Sequence, residues 1–181
     1  MNKWYEFYKS RIESTTYEDY FRKKYAPFIE YLDAQIHPGM KIGEFGCGTS
    51  LVTKVLHTNK CMFKVVDNNA GMLELTKLVL GNMRVEKKLH DITQPLDEKF
   101  DLIHSHGVLE HFEPYAISHI ISMQLKACPH LVHYVPSKKY CKPSFGDEHL
   151  WTAEEWKKWV GVPEVKEFND GYDLMLIWNY K

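Results

Sequence analysis

Residues 40–50 read Met-Lys-Ile-Gly-Glu-Phe-Gly-Cys-Gly-Thr-Ser, a short strand closing at Glu44 with Gly46 and Gly48 just beyond it. Glycines at this spacing let the backbone turn tightly into a helix, and such a turn offers free amides and a surface without side chains to a ligand. A Gly-x-Gly turn by itself is common. Here a second carboxylate, Asp67, closes the next apolar run, Met62-Phe63-Lys64-Val65-Val66. Carboxylates at two strand ends beside a glycine turn suit a ligand with a cationic amino group and a ribose. Further along, His104, His106, Glu110 and His111 gather imidazole and carboxylate groups after another apolar run. Histidine has the unperturbed pKa nearest neutrality, so His106 and His111 are candidate bases, and either could instead bond the backbone or pack beneath its loop.

The elements that must position these residues alternate between strand and helix. Residues 17–36 place Phe21, Tyr25, Phe28, Ile29, Leu32 and Ile36 at helical spacing, with Pro27 dividing the helix. Pro38-Gly39 turns the chain into a strand at 40–45. Helices follow at 50–57 and 70–80, the second ended by Gly81. Strands are expected at 85–90, 100–105 and 131–135, with a helix from Pro114 to Ala127 between the last two. Thr152-Ala-Glu-Glu155 has the pattern of a capping box for a short helix through Trp156 and Trp159. Residues 165–168 and 172–179 close the chain as a hairpin through Asn169-Asp170-Gly171. Alternation of this kind predicts a mostly parallel sheet flanked by helices. In such sheets ligands bind beyond the carboxyl ends of the strands, where Glu44, Asp67, Asp91 and Ser105 fall.

The acidic-x-Gly-x-Gly run resembles the first motif of the class I S-adenosylmethionine-dependent methyltransferases, with Ser50 at the third glycine position. The dinucleotide fingerprint would need glycine where Leu51 stands. The resemblance implies an α/β, Rossmann-like fold: a single domain with a seven-stranded, mostly parallel sheet, an antiparallel C-terminal strand and helices on both faces. Residues 1–36 would be a helical lid and 37–181 the cofactor-binding core. It further implies that Glu44, Gly46, Cys47 and Gly48 hold the methionine part of S-adenosyl-L-methionine. Asp67 would accept from the ribose hydroxyls, with Asn68 and Met72 near ribose and adenine and Asp91-Ile92 at the adenine. The segment Phe100–Phe112 is similar to the family's buried strand and Val-Leu-Glu-His loop, so Ser105, His106 and Gly107 would line the cofactor. Glu110, His106 and His111 are then the candidate catalytic groups. Gly107 and Glu110 also resemble the Gly-x-x-Glu-His run of cyclopropane fatty-acid synthases, too short a match to assign a lipid.

The same residues admit competing chemistry. His104-x-His106 with Glu110 resembles the start of a cupin metal motif, but a cupin needs a nearly all-antiparallel β sequence, so no metal is expected. The Pro-Pro-aromatic motif of nucleic-acid amino-methyltransferases is replaced by Ser105-His106-Gly107-Val108, which disfavours a base-flipping enzyme. Cys47 is either a small apolar filler or a nucleophile. Trp4, Tyr5, Tyr8, Tyr17 and Tyr20 are either an aromatic lid or core-facing helix residues.

The chain has 181 residues, enough for one well-buried domain, and a formal net charge of −1 that gives no general attraction to nucleic acid. Four scattered cysteines and no long apolar run imply reduced thiols, no membrane span and a cytoplasmic setting. The resulting expectation is a methyltransferase acting on oxygen or nitrogen of a small-molecule acceptor. The alternative is a non-catalytic subunit that binds S-adenosylmethionine or S-adenosylhomocysteine.

Overall fold

A computed structural model describes residues 3–12, 14, 16–144 and 147–180. Among the described residues seven strands form a mixed sheet, in the order Val85–Leu89, Met62–Asp67, Lys41–Phe45, Leu102–His106, His130–Pro136, Asp173–Asn179 and Glu164–Phe168. The chain divides into two compact units, 1–91 and 92–181.

The first unit begins with α1 (Lys3–Ile12), α2 (Tyr17–Lys24) and α3 (Ala26–Asp33). The expected break at Pro27 is present. Proline lacks an amide donor and is tolerated only in a helix's first turn, so α3 restarts with Pro27 there. One face of α3 buries Phe28, Ile29 and Leu32. Then β1 (Lys41–Phe45), α4 (Leu51–Leu56), β2 (Met62–Asp67), α5 (Ala70–Leu80) and β3 (Val85–Leu89) alternate. The three strands are parallel, with Glu44 beside Val65 and Asp67 beside Leu89. Ile42, Phe45, Val65 and Val66 are buried, as parallel strands covered on both faces require. The Asn69 side chain accepts from the amides of Gly71 and Met72 and starts α5, while Gly81, at φ 54°, ends it.

The second unit runs β4 (Leu102–His106), a 3-10 turn (Leu109–His111), α6 (Pro114–Ala127), β5 (His130–Pro136), a second 3-10 turn (Lys138–Tyr140), α7 (Ala153–Val160), β6 (Glu164–Phe168) and β7 (Asp173–Asn179). β4 and β5 are parallel, and β7 is antiparallel to both β5 and β6. The capping box of α7 forms in both directions, Thr152 accepting from the Glu155 amide and Glu155 from the Thr152 amide. The strand expected at 100–105 starts two residues late, because the Phe100 amide is already bonded to the Ala127 carbonyl at the end of α6. The β6–β7 loop has Asn169 and Asp170 both left-handed, at φ 50° and 56°, a backbone that Asn and Asp tolerate better than most residues. β3 and β6 lie at the two ends of the strand order, and both expose charged side chains, Glu86 on one and Glu164, Lys166 and Glu167 on the other.

Candidate functional site

The glycine turn is pinned to the end of β2. The amides of Gly46 and Cys47 both donate to the Val66 carbonyl, at 2.8 and 2.9 Å. Gly46 and Gly48 are left-handed, at φ 69° and 52°, where a Cβ would strain the backbone. Ser50, at the family's third glycine position, takes the same conformation at φ 57° and is fully buried. The Thr76 hydroxyl donates to the Gly48 carbonyl at 2.7 Å and ties the turn to α5. A Cβ built on Gly48 would have Met72 Cε, 3.9 Å away, as its nearest neighbour, so the space over the turn is bounded by Met72.

Asp67 organises this corner. Its Oδ2 accepts from the Gly48 amide and its Oδ1 from the Asn69 amide, both at 2.9 Å. Burial raises its pKa while the backbone amides oppose the rise. The Asn68 amide also acts on the carboxylate, whose roughly four acceptor sites leave room for a ligand hydroxyl. Glu44 is buried, and its Oε2 accepts from the Thr53 amide in the first turn of α4 at 3.2 Å. Burial, reinforced by the nearby Asp67 charge, pushes Glu44 up to about 7. Cys47 is buried and its thiol is pushed far up by desolvation, which fits the filler reading rather than the nucleophile.

Other candidates of the first unit are placed less centrally. Asn68 is exposed. Asp91 is exposed beyond β3, next to His90, whose amide donates to the Asp67 carbonyl at 2.9 Å. Two contributors are not marked by the sequence motifs, Asn69 and Thr76, while Tyr5, a lid candidate, has its ring 3.2 Å from where a Cβ on Gly71 would lie. The Asn before an apolar helix was a usable signal for the first. Tyr20 is exposed, and the rings of Trp4 and Tyr8 stack at 6.0 Å.

In the second unit Ile92 is buried, and Ser105 is buried with Oγ 2.8 Å from His133 Nδ1. His104 is fully buried and desolvation lowers it to about 3, so it is a neutral core residue. His106 is half-buried and stacks on Tyr134 with ring centroids 4.2 Å apart. Gly107 is left-handed at φ 69°, and a Cβ there would lie 3.3 Å from Glu110 Oε1. Glu110 is buried and desolvation lifts it to about 8. His111 Nδ1 lies 3.0 Å from Asp147 Oδ1, a partner with no motif around it to mark it in the sequence. Among the described residues, the potential metal ligands that come together are His111, Asp147 and Glu148, not the His104-x-His106 pair.

This arrangement of parallel strands, glycine turn and strand-end carboxylate defines a Rossmann-like methyltransferase fold. Residues 43–126 match the family model described as a methyltransferase domain, a match that supports a class I S-adenosylmethionine-dependent methyltransferase with S-adenosyl-L-methionine as its cofactor. A malonyl-[acyl-carrier protein] O-methyltransferase of Anoxybacillus flavithermus is 34% identical over 102 residues, covering 54% of this chain and 39% of its own length. The chain thus spans about two fifths of that curated relative. Among solved structures, a protein from Pyrococcus horikoshii superimposes with a TM-score of 0.77 at 13% identity, covering 100% of both chains. The N-methyltransferase NodS of Bradyrhizobium japonicum, in complex with S-adenosyl-L-homocysteine, gives 0.72 at 17% identity over 99% of this chain and 100% of its own. At these identities the likeness is one of fold. No helix of the described residues is long and apolar enough to cross a membrane.

Proposed function

We propose that the protein binds S-adenosyl-L-methionine at the β1–α4 turn and transfers its methyl group to an oxygen or nitrogen of a small-molecule acceptor. The observation that carries this reading is the Asp67 carboxylate, held by the Gly48 and Asn69 amides with acceptor capacity to spare beside a turn without side chains. Those residues fit the cofactor: Asp67 for the ribose hydroxyls, Gly46 and Gly48 for close backbone approach, Met72 as an apolar wall. Buried Glu44, at the end of β1 beside the turn, is the carboxyl group assigned to the cofactor's amino group. When bound, the cofactor supplies a methyl made electrophilic by its sulfonium. The chain's own contribution is to hold and orient the reactants and exclude water. His106, its ring fixed against Tyr134, is the group that positions the acceptor or takes its proton.

The curated relative is named for O-methylation and NodS for N-methylation, so the acceptor panel should contain carboxylates, hydroxyls and amines. Calorimetry should show S-adenosylhomocysteine binding at one site per chain, and S-adenosylmethionine should be consumed with at least one acceptor class. Tight binding of NAD with no heat from either sulfur cofactor would overturn the assignment. Cofactor binding without turnover on any acceptor would favour the non-catalytic binding subunit.

A further inference from the structure

The role proposed above for His106 is the premise; from it we infer that Asp173 is a positioning residue for methyl transfer. Through a hydrogen bond to Tyr134 it fixes the orientation of the His106 ring.

The sheet of the second unit brings these residues to one face. His106 pairs with Tyr134 across β4 and β5, and Tyr134 pairs with Met175 on β7. Asp173, two residues before Met175, shares that face, as does Phe168, its partner on β6. The rings of His106 and Tyr134 lie 4.2 Å apart and only 16° from parallel. The Gly107 amide donates to the Tyr134 carbonyl at 3.1 Å, so backbone and ring both tie the end of β4 to this tyrosine.

A stacked partner orients a ring only as well as it is itself held. Tyr134 is buried, with the Phe168 ring centroid 6.1 Å from its own, and its hydroxyl donates to Asp173 Oδ1 at 2.8 Å. The Tyr140 hydroxyl donates to the same oxygen at 2.8 Å, and Asn169 Nδ2 donates to Oδ2. The turn leading into Asp173 is itself fastened. Ser137 Oγ donates to the Gly171 carbonyl at 2.6 Å, and the Ser137 amide donates to the Tyr172 carbonyl at 2.8 Å. Asp173 is fully buried, so its carboxyl depends on these donors, and a buried network whose acceptors are satisfied is rigid.

The two oxygens divide their tasks. Oδ2 serves the β6–β7 loop through Asn169, whereas Oδ1 serves the site through the tyrosines. A reacting group must be held within about 0.5 Å and 10–20° of its productive geometry, which requires partners whose own rotamers are locked. Tyr134, clamped at its far end, is such a partner for His106.

The imidazole resonances of His106, identified by their loss in His106→Ala, read the ring without any acceptor. Tyr134→Phe keeps the stacked ring and removes only the hydroxyl; it should shift or broaden these resonances, as should Asp173→Ala. Asp173→Asn, which keeps one oxygen for both tyrosines, should hold them closer to wild type. Asn169→Gly removes the bond to Oδ2 and keeps the left-handed backbone; it should lower Tm and leave the resonances in place. With the best acceptor of the panel, Tyr134→Phe should lower kcat roughly 10–100-fold at unchanged KM for S-adenosylmethionine, since a misplacement of about 1 Å costs about 10²-fold. In the His106→Ala background the same change should cost nothing further. Resonances indifferent to Tyr134→Phe would overturn the anchor even where His106→Ala costs turnover. So would fully additive losses with His106→Ala, or an equal displacement by Asn169→Gly. Full turnover in His106→Ala would instead sink the role of His106, and the positioning role of Asp173 with it, whatever the resonances do. Melting curves establish that each variant is folded, and if the Asp173 variants are not, Tyr134→Phe, the loss of a single oxygen, carries the test.

Discussion

Two carboxylates, one in each half of the chain, are buried in opposite ways. Asp67 has an amide on each oxygen, supplied by the glycine turn and by the start of α5. Glu110 is as deeply buried, yet its Oε2 has no such donor. The first is a finished corner, whose donors come from backbone that the turn must form anyway. The second lacks such donors on Oε2, and desolvation lifts its carboxyl to about 8, so it keeps its proton near neutral pH. Burial therefore does not by itself set how readily a carboxylate holds its charge; the donors around it do.

The largest expected effect tests whether chemistry in the second unit needs a side chain at all. If His106 acts as a base, His106→Ala should lower turnover by roughly 10²–10⁴-fold with cofactor affinity little changed, and the pH–rate profile should lose its ionisation near neutrality. A small loss would make His106 a wall residue, with proximity sufficient. Collapse of cofactor affinity would move it into the cofactor site.

For the finished corner, Asp67→Ala should weaken S-adenosylhomocysteine binding by roughly 1–3 kcal/mol, through lost hydrogen bonds to a charged acceptor. Titration calorimetry on the folded variant reads this directly, and unchanged affinity would place Asp67 outside the site.

Glu44 gives the comparison a pH axis. Its folded pKa is raised to about 7 from 4.5, so the folded state holds the proton more tightly than the unfolded chain does. The stability this group contributes is full below the unfolded value and is lost as pH rises through about 7. Urea unfolding at about pH 5 and about pH 8 should therefore show Glu44→Gln gaining on wild type at the higher pH, by on the order of 1–3 kcal/mol. A difference that is flat with pH, or of the opposite sign, would show that Glu44 ionises freely.

The smallest effect concerns the frame of the second unit. Thr152→Ala removes the side-chain half of the α7 capping box and should cost about 1 kcal/mol, a fall of roughly 2–4 °C in Tm for a chain of this size.

Helix ends were the most legible parts of the sequence, because their signals are local. Gly81 ends α5, Pro114 opens α6 and Thr152 caps α7 where each was expected. The carboxylate and glycines of the first unit were legible for a related reason, since they lie within one turn and at the end of the next strand. What escaped was long-range. Thr76 reaches the Gly48 carbonyl across 28 residues, and His111 meets Asp147 across 36. No periodicity encodes such pairings. The start of β4 was misplaced for the same reason, its first amide having been taken by the end of α6.

The charges on β3 and β6 have a consequence for how the protein behaves in a crowded solution. An outermost strand leaves a row of backbone donors and acceptors open to any extended chain that approaches it. Here each such strand is short, and each presents charged side chains: Glu86, Lys87 and Lys88 on one, Glu164, Lys166 and Glu167 on the other. A second copy aligned along either would have to bring these charges together and strip them of water. Stacking of sheets end to end, the usual first step toward fibrils, is thereby made unfavourable at both margins.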